Sequence, residues 1–149
     1  MLTHDTFITI KPTKDSSIIN TSLTALYSAV GNKEFYAFGG NIEVPCRLKQ
    51  VKVDEEQVYL LSLGQRFLEA TGDTLVVTMK GVKLLKDIKT TDLIEIYNPD
   101  DIDFAGTPIS YANIHTVECR QPNYKGFLFK LESESHAFIN LYNGMAVGS

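Results

Sequence analysis

Cysteine, histidine, proline and tryptophan are scarce in this chain of 149 residues, which has two Cys, three His, five Pro and no Trp. Two cysteines are too few for a disulfide framework or for a four-ligand zinc site. We therefore expect no metal and a reducing, cytoplasmic setting. In that setting Cys46 and Cys119 act as small, partly buried apolar side chains.

Long hydrophobic runs and an excess of positive charge are missing too. No run approaches the ~18 apolar residues of a membrane span. Residues 1–12, MLTHDTFITIKP, lack the basic start and apolar stretch of a signal peptide. The formal net charge of −4 gives no electrostatic basis for binding nucleic acid. We expect neither a membrane nor a nucleic acid as a partner, and the length suits one domain.

What the chain has in abundance is short β-branched and aromatic segments separated by turns. Examples are residues 6–10 and 74–78. Residues 49–53 and 58–63 flank the acidic segment 54–56, a pattern that predicts a hairpin. The many short strands, with turns about every ten residues, predict an all-β, curled fold.

One segment, residues 20–31, has a helical pattern. Thr21 or Ser22 is suited to cap its start, apolar residues recur at helical spacing, and Gly31 follows its end. We expect this short helix to be the exception in a fold of strands.

The final stretch, residues 133–149, reads SESHAFINLYNGMAVGS. It predicts an apolar strand that contains His136, then an Asn143-Gly144 turn and another apolar strand that runs to the last residue. Chain ends are usually polar and frayed. We therefore expect this end of the chain to take part in the function.

Four groups of segments follow one another along the chain. They read LTHDTFI at 2–8, FLEATGDTLVVTMKG at 67–81, LLKDIKTTDLI at 84–94, and YKGFLFKL, HAF and NGMAVGS at 124–131, 136–138 and 143–149. In this order they resemble the sequence blocks of inteins, the self-splicing domains of the Hint fold. The resemblance implies a horseshoe-like, pseudo-two-fold curled β-sheet with one short helix, in one domain of residues 1–149.

The same resemblance implies single-turnover protein splicing without a cofactor. In inteins the first residue attacks the preceding carbonyl, a downstream nucleophile takes the acyl group, the last Asn cyclises, and an acyl shift joins the flanking segments, or exteins. The exteins would be the partners of a monomeric domain.

Met1 and Ser149 occupy the positions of the first nucleophile and of the terminal Asn. A thioether has no proton to lose, and serine has no carboxamide that could form a succinimide. We therefore expect a chain that is inactive at both ends. Whether the two residues are natural, introduced or left by cloning stays open.

The segment at 67–81 supplies three further candidates. Thr71 matches the family threonine that helps to polarise the upstream carbonyl. Thr74 stands where the family usually has histidine, and a hydroxyl is a poor acid or base near neutral pH. Asp73 or His4 is expected to share the proton transfer.

At the other end, His136 matches the histidine that assists Asn cyclisation, a role worth about 10²- to 10⁴-fold. Lys130 reverses the charge of the acidic residue that is usual at its position. Gly148 stands where a histidine is usual, although some family members lack that histidine.

The segment 97–109 is too short for the homing endonuclease of larger inteins. It predicts a mini-intein, or a split one with an N-terminal part of about 1–98 and a C-terminal part of about 107–149. In a split form the partner would be the complementary fragment. A phage DNA polymerase is a typical host of such a domain.

Two other classes of protein fit the same strands. A hedgehog-type autoprocessing domain shares the Hint fold but needs an N-terminal cysteine. A small β-barrel binding module would have no reason to bring residues 1 and 149 beside Thr71 and His136. The position of the chain ends therefore discriminates between splicing and mere binding.

Overall fold

The computed structural model describes residues 1–40, 42–97 and 110–148. Their elements, in chain order, are β1 (Phe7–Ile10), β2 (Ile19–Ser22), α1 (Leu23–Val30), β3 (Phe35–Gly39), β4 (Ile42–Ser62), β5 (Phe67–Thr71), β6 (Leu75–Thr78), β7 (Gly81–Leu84), a 3-10 turn (Leu85–Asp87), β8 (Leu93–Ile96), β9 (Ser110–Asn113), β10 (Thr116–Glu132), β11 (Ile139–Asn140) and β12 (Ala146–Gly148). The predicted all-β fold with one short helix is confirmed.

The strands of these ranges form three antiparallel sheets. In the first, β1 pairs with β2. In the second, β4 lies between β10 and β3 and also pairs with β5. The third has the order β11-β12-β6-β8-β9, with β7 also on β6. The two long strands, β4 and β10, form the ladder against which the start of the chain is placed.

One cluster of buried apolar side chains joins these sheets. Phe35, Leu48 and Phe129 are at its centre, each at most 1% exposed. Leu2 from the start of the chain and Val147 from its end belong to the same cluster. Because burial of such side chains stabilises a fold by about 1.5–3 kcal/mol each, both ends are held in place by the core.

The helix α1 begins and ends as its sequence predicts. The side chain of Ser22 accepts a hydrogen bond from the Ala25 amide at 3.1 Å. Gly31 ends the helix at φ 59° and donates its amide to the Tyr27 carbonyl at 2.8 Å. No helix in the described part of the chain is long and apolar enough to cross a membrane.

The predicted hairpin at 54–56 is wrong, because β4 runs through this segment without reversing. β10 pairs with β4 from Glu132 opposite Arg47 to Thr116 opposite Ser62, which gives the acidic residues a partner strand. Glu55 takes a positive φ of 70°, and the register shifts opposite it. The turn-like residues therefore mark a bulge within a long strand.

The bulge leads to a stability prediction. Glu55→Gly should raise the free energy of unfolding by about 0.5–1 kcal/mol, because glycine adopts a positive φ without steric penalty. Glu56→Gly removes the same charge from the same strand and should lower stability instead. Urea unfolding of both variants tests the assignment, and equal losses in the two would contradict the bulge.

Candidate active site between the start of the chain and its last strand

The start of the chain and the last strand open onto one cavity of about 580 Å³. Its lining comes from the start of the chain, β4, the turn between β5 and β6, the end of β10 with the segment that follows, and β11 and β12. The predicted site residues Met1, Asp73, Thr74, His136 and Gly148 all line it. The fold therefore brings together residues that are far apart in the sequence.

Backbone hydrogen bonds fix the start of the chain at this cavity. The amide of Leu2 donates to the Phe129 carbonyl at 2.8 Å, and the Phe129 amide donates back to Leu2 at 2.9 Å. Leu2 also forms a bridge to Ala70 on β5. The Met1 carbonyl accepts a hydrogen bond from the Thr71 amide at 2.9 Å. Residue 1 is thus held between β10 and β5.

The turn between β5 and β6 is shaped by close packing at Gly72. A Cβ at this position would lie 2.8 Å from the Tyr59 ring and 3.0 Å from the Lys86 side chain, so only glycine fits without a shift. The Thr74 amide donates to the Thr71 carbonyl at 3.0 Å, which closes the turn. As a result both threonine hydroxyls face residue 1.

These hydroxyls contact the nitrogen of Met1. That nitrogen donates to Thr71 Oγ1 at 2.6 Å and to Thr74 Oγ1 at 3.2 Å. The Thr71 hydroxyl in turn donates to Asp73 Oδ1 at 2.5 Å. Thr71 and Thr74 are 1% and 3% exposed, whereas Asp73 faces solvent. The arrangement is a short chain of hydrogen bonds from nitrogen to hydroxyl to carboxylate.

Two pKa shifts follow from this arrangement. Burial lowers the pKa of the Met1 amino group, and the nearby charges of Asp73 and Glu56 oppose that effect. The hydrogen bond from Thr71 lowers the pKa of Asp73. Asp73 is therefore a carboxylate at neutral pH, which makes it an acceptor and a poor proton donor.

The side chain of Met1 is packed in apolar surroundings. It lies against a small cluster of Val53, Val58 and Leu128, together with Val51 and Tyr124. This cluster lies apart from the main core. Met1 therefore packs against apolar side chains and also lines the cavity.

His136 lines the cavity but does not lie in a strand, so that part of the prediction is wrong. It is exposed, has a positive φ of 51°, and donates its amide to the Ser133 carbonyl at 3.3 Å. The polar residues 133–135 form a turn, and β11 starts only at Ile139. The imidazole is thus at the mouth of the cavity.

Gly148 is fixed by its neighbour Phe138. A Cβ at position 148 would lie 2.8 Å from the Phe138 ring, and β12 is held there by Gly148 opposite Leu75. No side chain fits at position 148 while the ring keeps its place. The predicted site residue Ser149 lies outside the described residues.

The cavity also contains a basic pair that the sequence analysis did not identify in full. Lys130 lies directly opposite Lys49 in the β4–β10 ladder, and both line the cavity. Opposed like charges are destabilising across a sheet. The position of Lys49 in the cavity follows only from the register of β10 on β4. The predicted hairpin paired this part of β4 with a different segment.

Among the described residues no group of three or more His, Cys, Asp or Glu is placed to hold a metal ion.

The two cysteines and His4 do not line the cavity. Burial raises the pKa of Cys46 to about 11. Cys119 is exposed, so its predicted partial burial is wrong. His4 is exposed outside the cavity, where its carbonyl accepts from Thr24.

Comparison with known proteins gives structural matches only. No family model matches the chain, and no curated protein matches its sequence. Among solved structures, an intein from a hyperthermophile is similar with a TM-score of 0.76 and 14% identity, over 99% of this chain and 98% of that one. The transcription factor IIB Mvu mini-intein has a TM-score of 0.75 and 15% identity, over 100% of both chains.

The DnaB intein from Synechocystis sp. PCC 6803 is also similar, with a TM-score of 0.67 and 17% identity, over 99% of this chain and 97% of that one. At such identities the likeness establishes the fold. The chain therefore has the Hint fold, as the resemblance of its sequence blocks predicted.

The contact between Gly148 and Phe138 gives a prediction. Gly148→Ala should lower the free energy of unfolding by about 1 kcal/mol, because the new methyl group overlaps the ring. In a Phe138→Leu background the same substitution should have a smaller effect. Urea unfolding of this double-mutant cycle measures the coupling, and equal losses in both backgrounds would contradict the contact.

Proposed function

We propose that this chain is a protein-splicing domain of the intein type, of mini-intein size, whose partners are the polypeptides joined to its two ends. One observation carries the proposal. Met1 and Gly148 line the same cavity, together with Thr74 and His136. A pocket that serves only to bind a ligand has no need to unite the first residue and the last strand of its own chain.

Proximity is the main contribution of such a site. An acyl group that moves from the upstream junction to the downstream junction must find both within one pocket, and holding reactants together is worth up to about 7–11 kcal/mol. The pairing of Leu2 with Phe129 would position an upstream junction, and that of Gly148 with Leu75 would position a downstream one.

At the upstream junction a thiol or hydroxyl at position 1 would attack the preceding carbonyl. A bond forms between that nucleophile and the carbonyl carbon. The peptide bond between this carbon and the nitrogen of residue 1 breaks. The proton of the nucleophile passes to the nitrogen. Thr71 and Thr74 hold this nitrogen at 2.6 and 3.2 Å and so keep the breaking bond in place.

At the downstream junction an Asn at position 149 would attack its own carbonyl through its side-chain nitrogen. This forms a succinimide and breaks the bond to the following residue. His136 is the candidate for proton transfer here, because it lines the same cavity as Gly148. Phe138 occupies the space that a side chain at position 148 would need.

As it stands the chain would perform neither half-reaction. Met1 offers a thioether without a proton, and Ser149 offers no carboxamide. Thr74 in place of histidine also removes the usual acid near neutral pH. We therefore propose an inactive variant of a splicing domain, whose two half-reactions return when positions 1 and 149 are repaired.

We also infer that the chain tolerates division between about residues 98 and 107, a stretch that falls outside the described residues. β10 lies in the C-terminal part and pairs with β4 of the N-terminal part along almost its whole length. This ladder would bring two separate fragments together. Its length supports a split arrangement with the complementary fragment as partner.

The upstream half-reaction gives the first test. A Met1→Cys chain fused behind a foreign protein should release that protein on addition of dithiothreitol, because the thiol intercepts a thioester at position 1. Mass spectrometry of the released protein identifies the cleaved bond. Thr71→Val in this background should slow the release by about 10²-fold, since the nitrogen loses its principal contact.

Met1→Ala serves as the matched control, since it lacks a nucleophile. If a folded Met1→Cys chain shows no thiol-dependent release, the splicing proposal is wrong and the binding-module alternative is favoured. If release occurs at the same rate in Met1→Ala, it does not depend on a nucleophile at position 1.

The downstream half-reaction gives a second test. A Ser149→Asn chain in front of a foreign protein should release it slowly, with a succinimide at its new end. His136→Ala should reduce this rate by about 10²-fold, the lower range for a positioned histidine. His115 is exposed and lies outside the cavity lining, so His115→Ala is the matched control.

A rate that is equal in the His136 and His115 variants would remove His136 from the mechanism. Thiol-dependent release upstream without any Asn-dependent release downstream would instead favour a hedgehog-type autoprocessing domain.

A further inference from the structure

The face of the β4–β10 ladder that meets the start of the chain changes from apolar to basic at the cavity. Val51 lies opposite Leu128, and the side chain of Met1 packs in the same cluster as these two residues. Two residues further along the ladder, Lys49 lies opposite Lys130. Alternate residues of a strand share one face. The lysine pair therefore lies directly beyond the surface on which residue 1 packs.

The two lysines face each other without a partner of opposite charge. Both are exposed and line the cavity, and no ion pair among the described residues involves either of them. Opposed like charges destabilise a ladder. A carboxylate placed between two ammonium groups would relieve this repulsion and accept a charge-assisted hydrogen bond from each. The pair is thus suited to an anionic group from outside the described residues.

The cavity has two carboxylates of its own, and both are placed away from the lysine pair. Asp73 accepts the hydrogen bond of the Thr71 hydroxyl at 2.5 Å. Glu132 is exposed and lies opposite Arg47, one step further from residue 1 on the same face of the ladder. A segment that enters the cavity from residue 1 therefore meets the two lysines before it meets Glu132.

A segment that precedes residue 1 enters the cavity at the nitrogen of Met1. Burial is the largest cause that lowers the pKa of this amino group, and the charge of Lys130 lowers it too. The Lys130 charge therefore acts at the point where an upstream partner would be joined. In a fused chain this nitrogen belongs to a neutral amide, and the two lysines remain as positive charges in the cavity.

We propose that Lys49 and Lys130 form a recognition site for a carboxylate of the upstream partner, supplied by an Asp or Glu among the last few residues before position 1. This inference rests on the proposed function and adds to it a preference among partners. The upstream partner is favoured over the downstream one because Met1 packs beside the lysine pair, whereas Gly148 packs against Phe138. The two lysines determine specificity and take no part in proton transfer.

The chain as it exists allows a test without splicing. Met1 has no nucleophile, so an upstream segment stays attached. Urea unfolding compares chains preceded by three glutamates or by three glutamines. The glutamate tail should lower the unfolding equilibrium constant about threefold, and about 1 M salt should abolish the difference. Since the chain already has a formal net charge of −4, an acidic tail without a basic site would add repulsion instead.

Variants of the lysines assign the effect to the pair. Lys49→Gln combined with Lys130→Gln should abolish the difference between the two tails. Lys52→Gln is the matched control, because it removes a charge from the opposite face of β4, outside the cavity lining, and should preserve the difference.

The same measurement on chains without a tail shows that the variants fold. There the double variant should unfold at a higher urea concentration than the parent, since it loses a repulsion between opposed like charges. Tails of equal effect in the parent chain, or a difference that survives in the double variant, would overturn the proposal.

A second measurement separates this inference from the proposed function. In the Met1→Cys chain, an upstream protein that ends in three glutamates should be released by thiol about threefold faster than one that ends in three glutamines, because a paired tail stays longer at the cavity. The double lysine variant should release both at one rate. If it slows both tails equally, the lysines act on the chemistry and the proposal is wrong. If no tail gives thiol-dependent release, the splicing proposal fails, and the unfolding comparison still decides whether the lysine pair binds a carboxylate.

Discussion

The placement of Leu2 between β5 and β10 is the constraint on which the site depends. Leu2 exchanges both backbone hydrogen bonds with Phe129, bridges to Ala70, and is 3% exposed. These contacts fix the preceding residue, Met1, beside Thr71. Since Leu2 and Val147 belong to one core, the stability of the fold and the meeting of the two ends have the same physical origin.

The residues that depart from the intein pattern are accommodated by their neighbours. Thr74 lacks an imidazole, yet its hydroxyl contacts the nitrogen of Met1 at 3.2 Å. Gly148 has no side chain, and the Phe138 ring fills the space that one would need. Lys130 faces Lys49 across the ladder, and the carboxylate bonded to Thr71 is that of Asp73. Each of these positions therefore has close contacts in the structure, although its residue differs from the one expected from the intein resemblance.

Local sequence signals predicted the local structure and missed what depends on distant pairing. Ser22 and Gly31 marked the helix correctly because capping acts within one turn. The segment 54–56 was misinterpreted because its partner strand, β10, lies about sixty residues later in the chain. His136 was predicted to lie in an apolar strand, but it lies outside a strand at φ 51°, a conformation that has no simple sequence signature. The hydrogen bond between Thr71 and Asp73 depends on the side-chain rotamers of a tight turn.

The proposed exchange of an acyl group between the two ends of the chain rests on the cavity that they share. It can be measured in a chain that carries both Met1→Cys and Ser149→Asn between two foreign proteins, with a downstream Cys. Mass spectrometry of the products should find the two foreign proteins joined by a peptide bond, with the excised domain free. Separate release of the two proteins without ligation, from a folded chain, would contradict a shared cavity for both junctions.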